Sequence, residues 1–330
     1  MDERTEHSTE RKLMIKELEQ QLKDRPVLWA FLKPLLECLV VADLVEVNVN
    51  KPGELRLESA TDGKKFVKVP HLNFKYWLNL CHILANGNGL YFHPEKQPRV
   101  SVELPGGHRF EAMIGDAVKE KLAVSIRLKR QISLNLENFG LEGEKKDKLI
   151  AMIEKGANII ISGGTSSGKT TFLNCLLQYV PKDKRILSVE DTYELNIEHY
   201  DKANYLISRN ENNPTIGYPQ MIDHLMRSRP DMIVCGELSM ANALPILRML
   251  NSGHAGFLCT AHADSPRSLI DAIRQNILMS GTDIPKSELE QLLYGLLDAI
   301  IQLHRTSNGK RKVTTIYYPK SDEYDPICQD

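Results

Sequence analysis

The chain has little of what marks several protein classes. Its 330 residues hold six cysteines, Cys38, Cys81, Cys175, Cys235, Cys259 and Cys328, and none forms a Cys-x-x-Cys pair. That spacing argues against a zinc ribbon or a thioredoxin-like site. Most of the six sit in apolar stretches, where a reduced thiol acts as a small hydrophobe. An excess of one charge is also missing: 42 Lys and Arg against 43 Asp and Glu leave a net charge of −1. That balance gives no strong nucleic-acid signal and no polybasic membrane surface. Long hydrophobic runs are absent as well. The most apolar long stretch, residues 28–47, is interrupted by Lys33, Pro34, Glu37, Asp43 and Glu46, so no transmembrane segment is expected. The opening Met1-Asp2-Glu3-Arg4 carries both signs of charge and no apolar signal region. Internal repeats and low-complexity tracts are not seen either.

What is there is ordinary globular usage, 42% hydrophobic and 26% charged. A single core rarely grows past about 250–300 residues, so two domains are expected. Residues 1–25 mix charges around Met14, Leu18 and Leu22 at helical spacing, and read as an exposed helix or arm. Residues 26–130 read as an α+β domain with an antiparallel sheet. A helix kinked at Pro34 precedes alternating Val45, Val47 and Val49, then turns at Pro52-Gly53 and Asp62-Gly63. A helix over 73–86 stops at Gly87, and a hairpin turns at Pro105-Gly106-Gly107. In the hairpin Arg109 opposes the apolar face of Phe110, Ala112 and Ile114, and Arg127 lies on the polar face of the next strand. On pattern alone both are surface arginines.

Residues 131–148, with Asn135, Asn138, Gly140, Gly143 and a charge run, read as a linker. From 149 to 330 the grammar changes. Apolar runs of strand length at 158–162, 185–189, 232–235, 257–260 and 299–303 alternate with helical stretches. Such runs predict a parallel sheet covered on both faces. Residues 312–318 are β-rich and suit an edge hairpin, and the tail from Ser321 reads as loose.

The most specific motif is Gly163-Gly164-Thr165-Ser166-Ser167-Gly168-Lys169-Thr170, which fits G-x-x-x-x-G-K-[ST]. The buried strand Ile159-Ile160-Ile161 precedes it. An amphipathic helix with Phe172, Leu173, Leu176, Leu177 and Val180 follows. Glycines let the backbone N–H groups surround a phosphate, and the helix N-terminus adds its positive end. Lys169 suits the β- and γ-phosphates, and the Thr170 hydroxyl suits Mg²⁺. Polar chemistry recurs at other strand ends: Glu190-Asp191-Thr192-Tyr193-Glu194, Gly236-Glu237 and Thr260-Ala261-His262. Ligands in open α/β sheets gather at such ends. His254, His262 and Cys259 make a poor metal cage, two histidines eight apart across a turn and a strand.

Together these motifs resemble the type II/IV secretion-system ATPase family. The resemblance rests on the P-loop, the acidic stretch 188–194, Arg229 to Glu237, and Ser252 to Ala263. Residues 45–54, 104–110 and 124–127 are similar to its type IV secretion branch. The resemblance implies a RecA-like P-loop ATPase domain after the N-terminal domain, with ATP and Mg²⁺ as cofactors. It implies a homo-hexamer in the cytoplasm, peripheral to the inner membrane through other type IV secretion components. That hexamer would power export of a protein or DNA–protein substrate, or pilus assembly.

Residue roles follow by motif. Gly163, Gly164, Thr165, Ser166, Ser167, Gly168, Lys169, Thr170 and Thr171 cradle the phosphates. Thr170 and Glu237 serve Mg²⁺, and Glu237 is also the candidate general base. Glu190 and Glu194 are candidates to orient water. His262 is similar to the family's γ-phosphate sensor, with His254 in support. Arg209 and Arg227 look like arginine fingers from a neighbouring subunit, and Arg109 and Arg127 match N-domain arginines that contact nucleotide. The chain departs from the family pattern at Ser166, often glycine, at Ser239, often arginine, and at Asn242, often an acid. A pilus retraction or type II secretion ATPase, a P-loop kinase or nucleotide switch, a nucleotide-ordered scaffold and a DNA-translocating motor are the alternatives.

Overall fold

The computed structural model describes residues 13, 15–40, 44–59, 63–129, 134–191, 193–207, 217–253, 256–306 and 309–327. The chain divides into two compact units at residues 131/132.

The first unit is built on a six-stranded antiparallel sheet. Its strands are β1 (Leu44–Val49), β2 (Glu54–Ser59), β3 (Lys64–Lys68), β4 (Arg99–Leu104), β5 (His108–Ile114) and β6 (Leu122–Arg127), in the order β3-β2-β1-β6-β5-β4. Strict alternation in β5 and β6 buries Phe110, Ala112, Ile114, Leu122, Val124 and Ile126 on one face. Helix α1 (Phe74–Gly87) starts at Asn73, whose side chain caps the Tyr76 N–H at 3.0 Å, and contributes Trp77, Leu80, Cys81 and Leu84 to the same core. Pro34 does interrupt the preceding helix. Pro26–Leu32 is α-helical, Lys33–Leu35 tightens to a 3₁₀ turn, and Leu36–Leu39 returns to α.

The N-terminal arm is partly corrected. Residues 15–21 are helical, and Leu18 and Leu22 are buried, Leu18 against Leu36 and Val40. The apolar stripe therefore docks on the first unit rather than facing solvent. Residues 1–12 and Met14 lie outside the described residues.

The sheet's opposite face carries one row of charge across all six strands. Register pairs Lys64 with Glu58, Glu58 with Glu46, Glu46 with Arg127, Arg127 with Arg109, and Arg109 with Glu103. Arg109 and Arg127 are thus direct cross-strand neighbours.

The second unit holds an eight-stranded sheet in the order β14-β13-β12-β7-β11-β10-β8-β9. The strands are β7 (Asn158–Gly163), β8 (Arg185–Glu190), β9 (Asp201–Leu206), β10 (Met232–Cys235), β11 (Phe257–Ala261), β12 (Ala299–Arg305), β13 (Arg311–Tyr318) and β14 (Glu323–Pro326). Strands β7 to β12 run parallel to their neighbours, and β13 and β14 extend the β12 edge antiparallel. Apolar side chains fill both faces, as two separate cores. The helices are α2 (Gly143–Glu154), α3 (Lys169–Leu177), α4 (Tyr218–Arg227), α5 (Ala243–Leu250), α6 (Pro266–Met279) and α7 (Lys286–Leu296).

Two expectations change here. The stretch 131–148 is not a free linker over its described part. Asn135 and Asn138 form a capping box on a 3₁₀ turn, and Leu136, Phe139 and Leu141 are buried in the core under β7. Phe139 meets Phe172 edge-on at 5.0 Å between centroids. The second unit therefore begins near residue 132, well before 149. The tail from Ser321 is structured too over its described part, to residue 327. β14 pairs with β13, and Tyr324 stacks on Tyr317 at 4.3 Å.

Candidate functional site

β7 ends at Gly163, and the loop that follows turns into α3 at Lys169. The loop leaves no room for added side chains at its tight points. A Cβ on Gly163 would fall 2.5 Å from Ser167 Oγ and 2.8 Å from the Leu303 carbonyl oxygen. Gly168 takes φ +90, and a Cβ there would press to 2.6 Å from Arg311 Cδ. Ser166 takes φ +60 with a side chain attached. The glycine common at that position in the resembling family therefore has a conformational reason, since the left-handed region costs other residues roughly 1–2 kcal/mol.

Lys169 is buried. Its Nζ donates to the carbonyl oxygens of Gly163 and Gly164, each at 3.0 Å, and lies 3.3 Å from His262 Nδ1. The other nitrogen, His262 Nε2, is 2.6 Å from Glu237 Oε1. An ammonium only donates, so His262 Nδ1 accepts and the ring proton sits on Nε2, pointing at Glu237. Burial lowers the Lys169 pKa and the Glu237 carboxylate opposes that effect. Lys169, His262 and Glu237, taken from three motifs far apart in sequence, are thus one connected set.

The loop bearing Glu237 is pinned from three sides. Gly236 N–H donates to the Val189 carbonyl at 2.9 Å, and Leu238 N–H to the Thr260 carbonyl at 2.7 Å. Thr260 Oγ1 donates to the Gly236 carbonyl at 2.6 Å. Asn242, fully buried, accepts from Ser239 N–H at 2.7 Å and donates to the Glu237 carbonyl at 2.8 Å. An acid at 242 would lack that donor, so the asparagine matches this loop.

Glu190 is buried at the end of β8, and its Oε1 accepts from the N–H groups of Glu194 at 2.8 Å and Leu195 at 3.0 Å. Its carboxylate shapes the turn on which half-buried Glu194 stands; Glu194's own carbonyl accepts from Asn174 at 2.9 Å. Thr165 is exposed on the loop, and Thr170 and Thr171 are half-buried in the first turn of α3. Arg227 is exposed at the C-terminal end of α4 and pairs with Asp223 at 3.3 Å, apart from this cluster's contacts. Arg109 and Arg127 stand on the first unit's polar sheet face. Arg209 and His254 lie outside the described residues.

The residues suit a triphosphate and a divalent cation. Gly164 has open space on its Cα, and Ser167 Oγ is buried with no hydrogen-bond partner among the described residues. Thr170 and Glu237 offer hard oxygen donors, the type Mg²⁺ takes. No group of three or more metal-binding side chains occurs among the described residues.

Sequence reading missed the supporting shell. Thr260 stands at the strand end beside His262, where nothing in the pattern marks its role. Asn242 was visible only as a departure. Arg311, whose Nε donates to the Ser166 carbonyl at 3.3 Å, gave no signal.

The profile of the family described as "Type II/IV secretion system protein" matches residues 99–314. A type IV secretion system protein VirB11 from Bartonella henselae is 28% identical over 328 residues, spanning 87% of this chain and 91% of that protein. A probable conjugal transfer protein TrbB from Sinorhizobium fredii is 31% identical over 225 residues, 66% of each chain. In fold, the pilus retraction motor PilT with bound ADP matches with TM-score 0.63 at 16% identity, over 89% of this chain and 82% of that one. No described helix is long and apolar enough to cross a membrane. With its P-loop, its acidic strand ends and a family match over most of its length, the chain belongs to the type II/IV secretion system protein family.

Proposed function

We propose that this chain is the ATP-hydrolysing motor of a type IV secretion system, working as a homo-hexamer with Mg²⁺ beside the inner membrane. The observation that carries the reading is His262, held between Lys169 at 3.3 Å and Glu237 at 2.6 Å. Nucleotide binding would draw the Lys169 ammonium off the two loop carbonyls and onto the β- and γ-phosphates. His262 would then stand beside the γ-phosphate with its Nε2–H donating to Glu237. Glu237, fixed by Asn242 and Thr260, is the carboxylate best placed to take a proton from attacking water. Glu190 keeps the adjacent turn in shape, and Glu194 orients water. Bound Mg²⁺ would neutralise phosphate charge, with Thr170 and Glu237 holding it. Arg209 and Arg227, from a neighbouring subunit, and Arg109 and Arg127, from the first unit, meet charge that shifts in the transition state. Such an arginine is worth about 10³–10⁵ in rate. Coupling hydrolysis to a neighbour's arginine turns phosphate release into movement.

The test is phosphate release by purified protein with ATP and Mg²⁺, together with mass by light scattering with and without a non-hydrolysable analogue. Steady release without any acceptor, a six-subunit mass, and loss of at least about 100-fold in Lys169→Ala are expected. A monomer under both conditions, or hydrolysis only after adding a small acceptor, would overturn the reading in favour of a kinase or switch.

A further inference from the structure

Arg311 is a cation without an obvious reason for its place. It opens β13, one strand over from β12, which pairs with β7 as far as Leu303 opposite Gly163. The hairpin therefore runs on past the sheet beside the phosphate loop. Arg311 is half-buried there, its Cδ close against Gly168 and its Nε donating to the Ser166 carbonyl at 3.3 Å. Among the described residues no carboxylate pairs with it. Its cross-strand partner is another arginine, Arg305. Burial and Arg305 both work against its charge. A guanidinium kept in that setting, on an anion-binding loop, points to a ligand.

The flank identifies which part of the ligand. β7 lies between β11 and β12. The β11 side carries His262 and is hydrogen-bonded to the Glu237 loop, so it marks the γ-phosphate end. The β-phosphate nests in the loop, and the rest of the nucleotide must leave on the other side. That side is Arg311's.

We propose that Arg311 is a nucleotide-positioning residue that binds the nucleoside half of ATP or ADP. With Nε committed to Ser166, its two terminal amino groups remain for the ribose, and its flat face remains for the base. Arginine planes stack well on bases, and lysine lacks that face. The inference rests on the site being a nucleotide site.

The experiment measures dissociation constants of ADP and of inorganic tripolyphosphate for the full chain, for Arg311→Ala, Arg311→Lys and Lys169→Ala. Arg311→Ala should weaken ADP about tenfold, or about 1.4 kcal/mol, and change tripolyphosphate less than twofold. Arg311→Lys should weaken ADP about threefold, and it carries the test alone if the alanine variant is insoluble. Lys169→Ala should lose both ligands. Equal losses for both ligands in the Arg311 variants would mean that Arg311 merely supports the loop, and would overturn the proposal. Unchanged ADP affinity would overturn it too, leaving the nucleotide site intact. An unaltered chain that binds tripolyphosphate but neither ADP nor ATP would instead sink the nucleotide reading, and this inference with it.

Discussion

Asn242 holds Glu237 by its backbone: the buried side-chain amide donates to the Glu237 carbonyl at 2.8 Å while its oxygen takes the Ser239 N–H at 2.7 Å. Both ends of one side chain are used, and that side chain is itself fully buried. Asn242→Ala should therefore lower stability by about 1–3 kcal/mol, the cost of buried groups left unpaired. It should also lower kcat, because the Glu237 loop loses its clamp. Asn242→Asp keeps the acceptor and loses the donor, so it should fall between the two. Thermal melting alongside ATP turnover checks this. An Asn242→Ala variant as stable and as active as the parent would refute it.

Ser166 offers a prediction of opposite sign. It holds φ +60 with a side chain, where glycine is at ease. Ser166→Gly should be neutral to stabilising, by up to about 1 kcal/mol. Ser166→Val should destabilise by roughly 1–2 kcal/mol, a β-branched residue being the least tolerant there. The Ser166→Val midpoint in denaturant should fall below the parent's, and the Ser166→Gly midpoint should match or exceed it.

His108 predicts a pH dependence for the first unit. It is buried, its Nδ1 accepts from the Lys129 N–H at 3.1 Å, and burial, with Lys129 nearby, lowers its pKa to about 4. The folded form resists protonation while the unfolded chain titrates near the ordinary histidine value of about 6.5. Stability is thus fully present above about 6.5 and lost as pH falls from there toward 4. The slope is at most about 1.4 kcal/mol per pH unit. His108→Gln should flatten the profile between those pH values. Urea midpoints from pH 4 to 7 test it, and an unchanged slope in the variant would count against the assignment.

Arg109 and Arg127 lie side by side on an open sheet face with Glu103 and Glu46 beyond them. Surface positions of this kind usually shift stability by less than about 0.5 kcal/mol. Replacing both by alanine should thus leave melting nearly unchanged. If they meet nucleotide, the double variant should raise KM for ATP or lower kcat severalfold. Melting loss without kinetic change would reduce them to structural members of the charged row.

Much of this was legible in the sequence, for a physical reason. Strands buried on both faces read as continuous apolar runs, and that exposed β7, β8, β10, β11 and β12. Edge strands do not. Asp201-Lys202-Ala203-Asn204 and Glu323-Tyr324-Asp325-Pro326 are polar because one side of each faces solvent. The stretch before α2 hid its core role behind Asn, Gly and charge, although Leu136, Phe139 and Leu141 are fully buried. In the site, groups in contiguous motifs were visible. Arg311 was not, since nothing in local spacing tells that the last hairpin lies against the phosphate loop.

The place of β7 in the sheet has a consequence for synthesis. Its two neighbours, β11 and β12, come late in the chain. Such non-local pairing is slow and must wait for the partner to exist. A ribosome-bound chain that has not yet released β12 therefore has a complete phosphate-loop sequence on a strand with one bare edge. Nucleotide capture should therefore begin only once β11 and β12 have both emerged and paired with β7 on its two sides.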